Sequence, residues 1–144
     1  MIPAQIERDI LIDAPVDVVW RVITEPDQIV QWFSEEAEIE AKPGGHGRLV
    51  FRSGESYQLQ VEAVEPPRRF AFRWVQPQGS IARPENSMIV EFTLEPEGDG
   101  TRLRVVESGF DKVDWSDEQK ASYAERHTDG WERLLGRLRD FAKR

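Results

Sequence analysis

The sequence predicts an α+β fold in which a curved antiparallel sheet of seven strands wraps around one long C-terminal helix and encloses an internal cavity. Three observations carry this prediction. One apolar strand opens the chain and is followed by two short helical segments. About six runs of alternating apolar and polar residues come next, separated by turn signals. The last thirty or so residues, from Trp115 to Arg144, form one uninterrupted helical stripe. Each strand is apolar on one face only, that face must be buried, and the C-terminal helix is the element long enough to cover it.

The elements follow in order. Residues Gln5 to Ile12 alternate around Ile6, Ile10 and Ile12 and form the first strand. Asp13-Ala14-Pro15 breaks it, and Pro15 suits the first turn of a helix because its missing N–H is not needed there. Val16, Val19, Trp20 and Ile23 give that helix one apolar face; Glu25-Pro26-Asp27 interrupts it before a second short helix running through Ile29, Trp32 and Phe33. The strands then follow as Glu36 to Glu40, Gly47 to Arg52, a run through Tyr57, Leu59, Val61 and Ala63, a run through Phe70, Phe72 and Trp74, a run through Met88, Val90, Phe92 and Leu94, and Thr101 to Gly109. Pro43-Gly44-Gly45, Ser53-Gly54-Glu55, Pro66-Pro67 and Glu97-Gly98-Asp99-Gly100 supply turns between them. The longer connection from Gln76 to Asn86, with two prolines and one glycine, is read as a surface loop at the cavity mouth.

The final stripe can be counted. Ala124, His127, Trp131, Leu134, Leu135, Leu138, Phe141 and Ala142 recur at spacings of three and four, the period of a helix with one buried face. Ser116-Asp117-Glu118-Gln119 marks the start, a hydroxyl cap with Gln three residues on, and two acids lie in the first turn where the helix dipole favours them. Both ends fit one helix of about 26 residues, roughly 39 Å long. Trp115 is expected to staple the turn before it.

Composition narrows the function classes. With 144 residues the chain has the size of one domain spanning residues 1–144, and no repeat or linker divides it. There is no cysteine, which excludes disulfides, thiolate metal sites and thiol redox chemistry. A net charge of -8 and a pI near 4.9 argue against nucleic acid as a partner. The start MIPAQIERDI lacks a basic region followed by an apolar run and no window is apolar enough to span a bilayer, so no leader and no membrane span are expected, and a cytoplasmic location is. His46 and His127 are far apart and make no zinc spacing; no nucleophile elbow or phosphate loop occurs, and Pro43-Gly44-Gly45-His46-Gly47 is a bend. No metal, cofactor or catalytic motif is expected.

At this point the chain resembles a known family. Ile10 to Phe33, an apolar strand, Ala-Pro, Val-Trp, an acid-Pro pair and Trp-Phe, is similar to the opening of START-like helix-grip proteins of the SRPBCC superfamily, and in particular to the branch of the C-terminal domain of the activator of Hsp90 ATPase (AHSA1-like). Pro43-Gly44-Gly45 with Gly47, Val64-Glu65-Pro66-Pro67-Arg68-Arg69, Glu107-Ser108-Gly109-Phe110 and Gly130-Trp131 before paired leucines extend the likeness over nearly the whole chain. The resemblance implies the helix-grip order β-α-α-β6-α. It implies little about activity, since one fold hosts many.

Candidate site residues follow from the inward positions. The helix ridge of Trp131, Leu134 and Leu138 also carries His127, and Tyr123 lies one turn earlier. The alternation Leu103, Val105, Glu107 turns a carboxyl group onto the core face unless a bulge near Gly109 shifts the register; on that face it needs a partner, His127, Arg8 and Arg48 are the candidates, and an approach of Glu107 to His127 is expected. The cavity-lining set is Trp32, Tyr57, Phe72, Trp74, Met88, Val90, Phe92, Glu107, Tyr123, His127 and Trp131. An aromatic cavity with few polar groups favours binding or sensing of a small hydrophobic molecule, of lipid or polyketide and aromatic type, without catalysis. Two alternatives stay open: an enzyme similar to polyketide cyclases and aromatases with Glu107, Tyr123 and His127 as acid and base, and a protein-interaction module resembling the Hsp90 activator. A protein partner or a homodimer belongs with the last of these.

Overall fold

A computed structural model describes residues 2–75 and 82–143. The chain runs β1 (Gln5–Ile12), α1 (Val16–Thr24), α2 (Pro26–Ile29), β2 (Glu36–Ile39), β3 (His46–Val50), β4 (Ser56–Glu65), β5 (Arg69–Val75), a short 3-10 turn at Pro84–Asn86, β6 (Ser87–Glu97), β7 (Gly100–Ser108) and α3 (Asp117–Ala142). This is the expected order. The seven strands form one antiparallel sheet in the order β1-β7-β6-β5-β4-β3-β2, so the first strand closes onto the last and the rest form a meander.

The C-terminal helix begins where its sequence says it should. Gln119 N donates to Ser116 Oγ at 3.1 Å and Ser116 N donates to Gln119 Oε1 at 3.0 Å, a reciprocal cap that satisfies two backbone donors. Its buried residues are Tyr123, Ala124, Trp131, Leu134, Leu135, Leu138 and Ala142. These face the inner side of the sheet, where Leu59, Phe70, Phe72, Val90, Phe92, Leu103 and Val105 are buried with them. The outer face carries cross-strand ion pairs instead, including Arg69 with Glu91 and Glu65, Arg73 with Glu62, and Arg104 with Glu7.

Four local expectations change. The second helix ends at Ile29, with Pro26 in its first turn, and Trp32 and Phe33 lie in the turns that follow; backbone bonds from Trp32 and Phe33 to Ile29 hold that tight exit. His46 starts β3 rather than standing in the turn. In β4 the register shifts between Val61 and Ala63, so Ala63 pairs with Ala71 while Val64 pairs with Phe70. The bulge takes Ala63 out of the inward row and puts Val64 in its place, which plain alternation does not foresee. Trp115 packs against Tyr123, with ring centroids 5.0 Å apart, so the expected staple reaches two turns into the helix. Of the Gln76 to Asn86 connection, residues 76–81 lie outside the described residues.

Candidate functional site

The site is built around one carboxyl group. β7 keeps strict alternation to its end, with Thr101, Leu103, Val105 and Glu107 all buried, and continuous pairing with β6 sets Glu107 opposite Val90. No bulge turns it outward, and Glu107 is 0% exposed. Two strands away in the sheet, Trp74 of β5 points to the same face, and α3 crosses above with Tyr123, His127 and Trp131 spaced one turn apart.

All four side chains converge on Glu107. Trp74 Nε1 donates to Oε2 at 2.8 Å, and Trp131 Nε1 donates to Oε1 at 2.9 Å. The Tyr123 hydroxyl donates to Oε2 and also accepts a second bond from Trp74 Nε1 at 2.9 Å. His127 Nδ1 lies 2.9 Å from Oε1. An indole N–H can only donate, so both carboxyl oxygens must act as acceptors. The expected approach of Glu107 to His127 is therefore observed; Arg8 instead donates to the Glu7 backbone carbonyl. The network ties β7 and β5 to three successive turns of α3, and the described residues contain no buried side-chain nitrogen or oxygen without a partner.

Stacking fixes the rings as well as the bonds. The Tyr123 and His127 rings lie parallel with centroids 3.7 Å apart, and Trp74 stacks on Trp131 at 5.9 Å. Burial and then the neighbouring Glu107 push the Tyr123 hydroxyl well above the usual phenol range. Tyr57 is shifted the same way, first by burial and then by Glu55, whose carboxyl accepts from its hydroxyl at 3.0 Å; Arg126 opposes that shift. Both phenols are therefore held as hydrogen-bond donors.

A cleft of about 840 Å³ opens beside this network. One wall is α3 from Arg126 to Arg137, another is the segment Val30 to Glu35 after α2, and a third is the β3–β4 turn from Phe51 to Glu55. Its floor is aromatic: Trp32, Phe33, Tyr57, Trp74 and Trp131, with His127 between them. This is a cleft open to solvent, not the enclosed cavity between sheet and helix that the sequence led one to expect.

Of the residues singled out in the sequence, Trp32, Tyr57, Trp74, His127 and Trp131 line this cleft. Glu107 and Tyr123 sit directly behind, joined to it through Trp74, His127 and Trp131. Phe72, Met88, Val90 and Phe92 do not line it; all four are buried in the core. The space they face is filled by rings, since Phe92 packs edge-on against Trp32 at 6.5 Å and Trp131 at 5.8 Å, and Phe72 against Trp74 at 5.5 Å. Phe33, Phe51, Arg52, Arg126, Arg133 and Arg137 line the cleft without having been singled out. Phe33 was visible in the Trp-Phe pair, and the three helix arginines in their spacing of seven and four.

Residues 13–143 match the family described as activator of Hsp90 ATPase homolog 1-like protein. The chain belongs to this family. No curated protein sequence matches it. Among solved structures the chain is similar to protein MLL2253 from Mesorhizobium loti, with 23% identity, coverage of 95% of each chain and a TM-score of 0.79. It is similar also to the Aha1 dimer from Colwellia psychrerythraea, with 18% identity, coverage of 98% of this chain and 97% of that one, and a TM-score of 0.78. DynU16, a protein in the dynemicin biosynthetic locus, shares 26% identity at a TM-score of 0.77; the chain is covered to 96% and spans 47% of DynU16. These neighbours show the helix-grip fold of the AHSA1-like, SRPBCC type. Within that fold, among the described residues, no three His, Cys, Asp or Glu side chains are grouped to hold a metal ion, and no helix is long and apolar enough to cross a membrane.

Proposed function

We propose that this AHSA1-like protein binds a small hydrophobic ligand with a ring-rich body in the cleft beside α3, and does so without chemistry on it. The observation that carries this reading is the aromatic floor of Trp32, Phe33, Tyr57, Trp74 and Trp131 in a space of about 840 Å³. That volume lies in the range of small-molecule sites, and the rings give a ligand an apolar surface inside a cleft whose other lining residues are mostly polar or charged. Tyr57 supplies a hydroxyl, and His127, with Nδ1 engaged by Glu107, offers Nε2 as the second polar contact. The likeness to DynU16 of the dynemicin biosynthetic locus, of which the chain spans 47%, is in keeping with that reading.

The test is a titration with N-phenyl-1-naphthylamine, a neutral aromatic fluorophore. Wild-type protein is expected to bind it saturably, and Gly130→Trp to abolish binding. Gly130 lines the cleft and a Cβ built there meets nothing within 4 Å, so a large side chain at that position fills the cleft rather than the core. Gly136 has the same open surroundings but does not line the cleft, and Gly136→Trp is the control. Saturable binding that survives Gly130→Trp would put the ligand elsewhere.

A further inference from the structure

The rim of the cleft differs from its floor. Arg126, Arg133 and Arg137 of α3 line one edge and Arg52 of the β3–β4 turn the other. Spacings of seven and four residues put the three helix arginines in one row, because seven and eleven residues each complete close to a whole number of turns. The row extends about 16 Å along the helix axis. Gly130 falls between Arg126 and Arg133, and its missing side chain leaves the wall open there.

These four arginines have no protein partner among the described residues. Outside the cleft Arg69, Arg73, Arg83, Arg102, Arg104 and Arg139 each contact a carboxylate, whereas Arg8, Arg21, Arg48 and Arg68 form no ion pair among the described residues and are scattered over β1, α1, β3 and the β4–β5 turn rather than set in a row. Acids are not missing from the cleft, since Glu35, Glu55 and Asp129 line it too. Glu55, however, is on the opposite wall and accepts the Tyr57 hydroxyl, and Asp129, although three residues from Arg126 and four from Arg133 along the helix, forms no ion pair with either among the described residues. Four cations against three acids leaves the cleft one charge positive in a chain whose net charge is -8.

We propose that the ligand is an amphipathic acid whose ring body lies on the aromatic floor and whose carboxylate or sulfonate group is held by Arg126, Arg133 and Arg137. A guanidinium presents a planar fork that matches two oxygens of such a group, and its attraction is strengthened where the neighbouring surface is apolar. Arg52 closes the rim from the facing wall. This inference rests on the cleft being the ligand site.

Two probes separate the inference from that reading. 8-Anilinonaphthalene-1-sulfonate and N-phenyl-1-naphthylamine share one ring system and differ by the sulfonate. The quantity read is the ratio of their affinities. It is expected to fall tenfold or more in Arg126→Gln/Arg133→Gln, equivalent to about 1.4 kcal/mol, and to fall with added salt in wild type. Arg139→Gln, which alters an arginine paired with Asp140 and outside the cleft, is expected to leave the ratio unchanged. A ratio that does not move in the double variant overturns the acid inference while Gly130-sensitive binding of the neutral probe keeps the cleft reading. Absence of saturable binding by either probe overturns both.

Discussion

Replacing Glu107 by Leu tests the central network at its acceptor. The substitution keeps most of the side-chain volume and removes both oxygens, so its cost comes from the donors left behind. Trp131 Nε1–H loses the acceptor it holds at 2.9 Å, and the Tyr123 hydroxyl proton loses Oε2. Trp74 Nε1–H keeps the Tyr123 oxygen at 2.9 Å, and His127 can move its proton to the other nitrogen. Two buried donors are thus orphaned at about 1–3 kcal/mol each, or about 2–6 kcal/mol together. That is a large share of the roughly 5–15 kcal/mol by which a domain is stable. Urea unfolding followed by far-UV circular dichroism measures it without relying on tryptophan emission. The decisive comparison adds Trp131→Phe, which removes one of the orphans. The double variant is expected to be about 1–3 kcal/mol more stable than the sum of the two single losses predicts. Strict additivity, or a Glu107→Leu loss below about 1 kcal/mol, would refute the argument that these donors are held by one acceptor.

Two spectroscopic outcomes follow from the same geometry. The chain has two tyrosines, Tyr57 and Tyr123, and both folded-state phenols are raised above the unfolded value of about 10. The folded state therefore keeps its protons longer than the unfolded one, the stabilisation is full below pH ~10, and it is lost as pH rises beyond that. Absorbance at 295 nm should show no tyrosinate near pH 10 and then a rise that coincides with unfolding; a transition near 10 in folded protein contradicts it. The second outcome concerns His127, whose neutral ring should carry its proton on Nδ1, toward Glu107 Oε1. Long-range ¹⁵N–¹H correlation distinguishes this ring from His46, and an Nε2–H tautomer would remove His127 as an acceptor facing the cleft.

Periodicity made the network legible before any coordinates. Leu103, Val105 and Glu107 alternate in sequence and lie on one face in the structure, and the ridge carrying His127 and Trp131 turns toward it. A carboxyl on a core face demands donors, so the Glu107–His127 approach could be argued from residue types alone. Alternation tells which way a side chain points but not what it meets. Phe72, Met88, Val90 and Phe92 point inward as expected and meet other rings, so they fill the core instead of lining a void. The bulge at Val61/Ala63 has no turn residue to betray it, and the tight exit after Ile29, which brings Trp32 and Phe33 to the cleft, follows from backbone bonds that a helical period cannot reveal. Arg126, Arg133 and Arg137 stand outside the apolar stripe, and nothing in the helix sequence announces the facing wall, because the β3–β4 turn is remote in sequence.

The network and the cleft share side chains, and this constrains how a ligand can be recognised. Trp74 and Trp131 both line the cleft floor while their N–H groups are fixed on Glu107. Neither ring can turn without breaking a buried hydrogen bond, so the floor is presented in one arrangement before anything binds. A preorganised floor spares the ligand the cost of ordering it, commonly about 0.5–1.5 kcal/mol per mobile side chain. The rim is the opposite case: its arginines are exposed and unpaired, so holding the proposed anion would cost them rotamer freedom. For the proposed ligand, shape selection would then reside in the floor and be insensitive to salt, whereas selection for charge would reside in the rim and weaken as salt rises. Glu107, though it does not line the cleft, governs the first of these through the rings it holds.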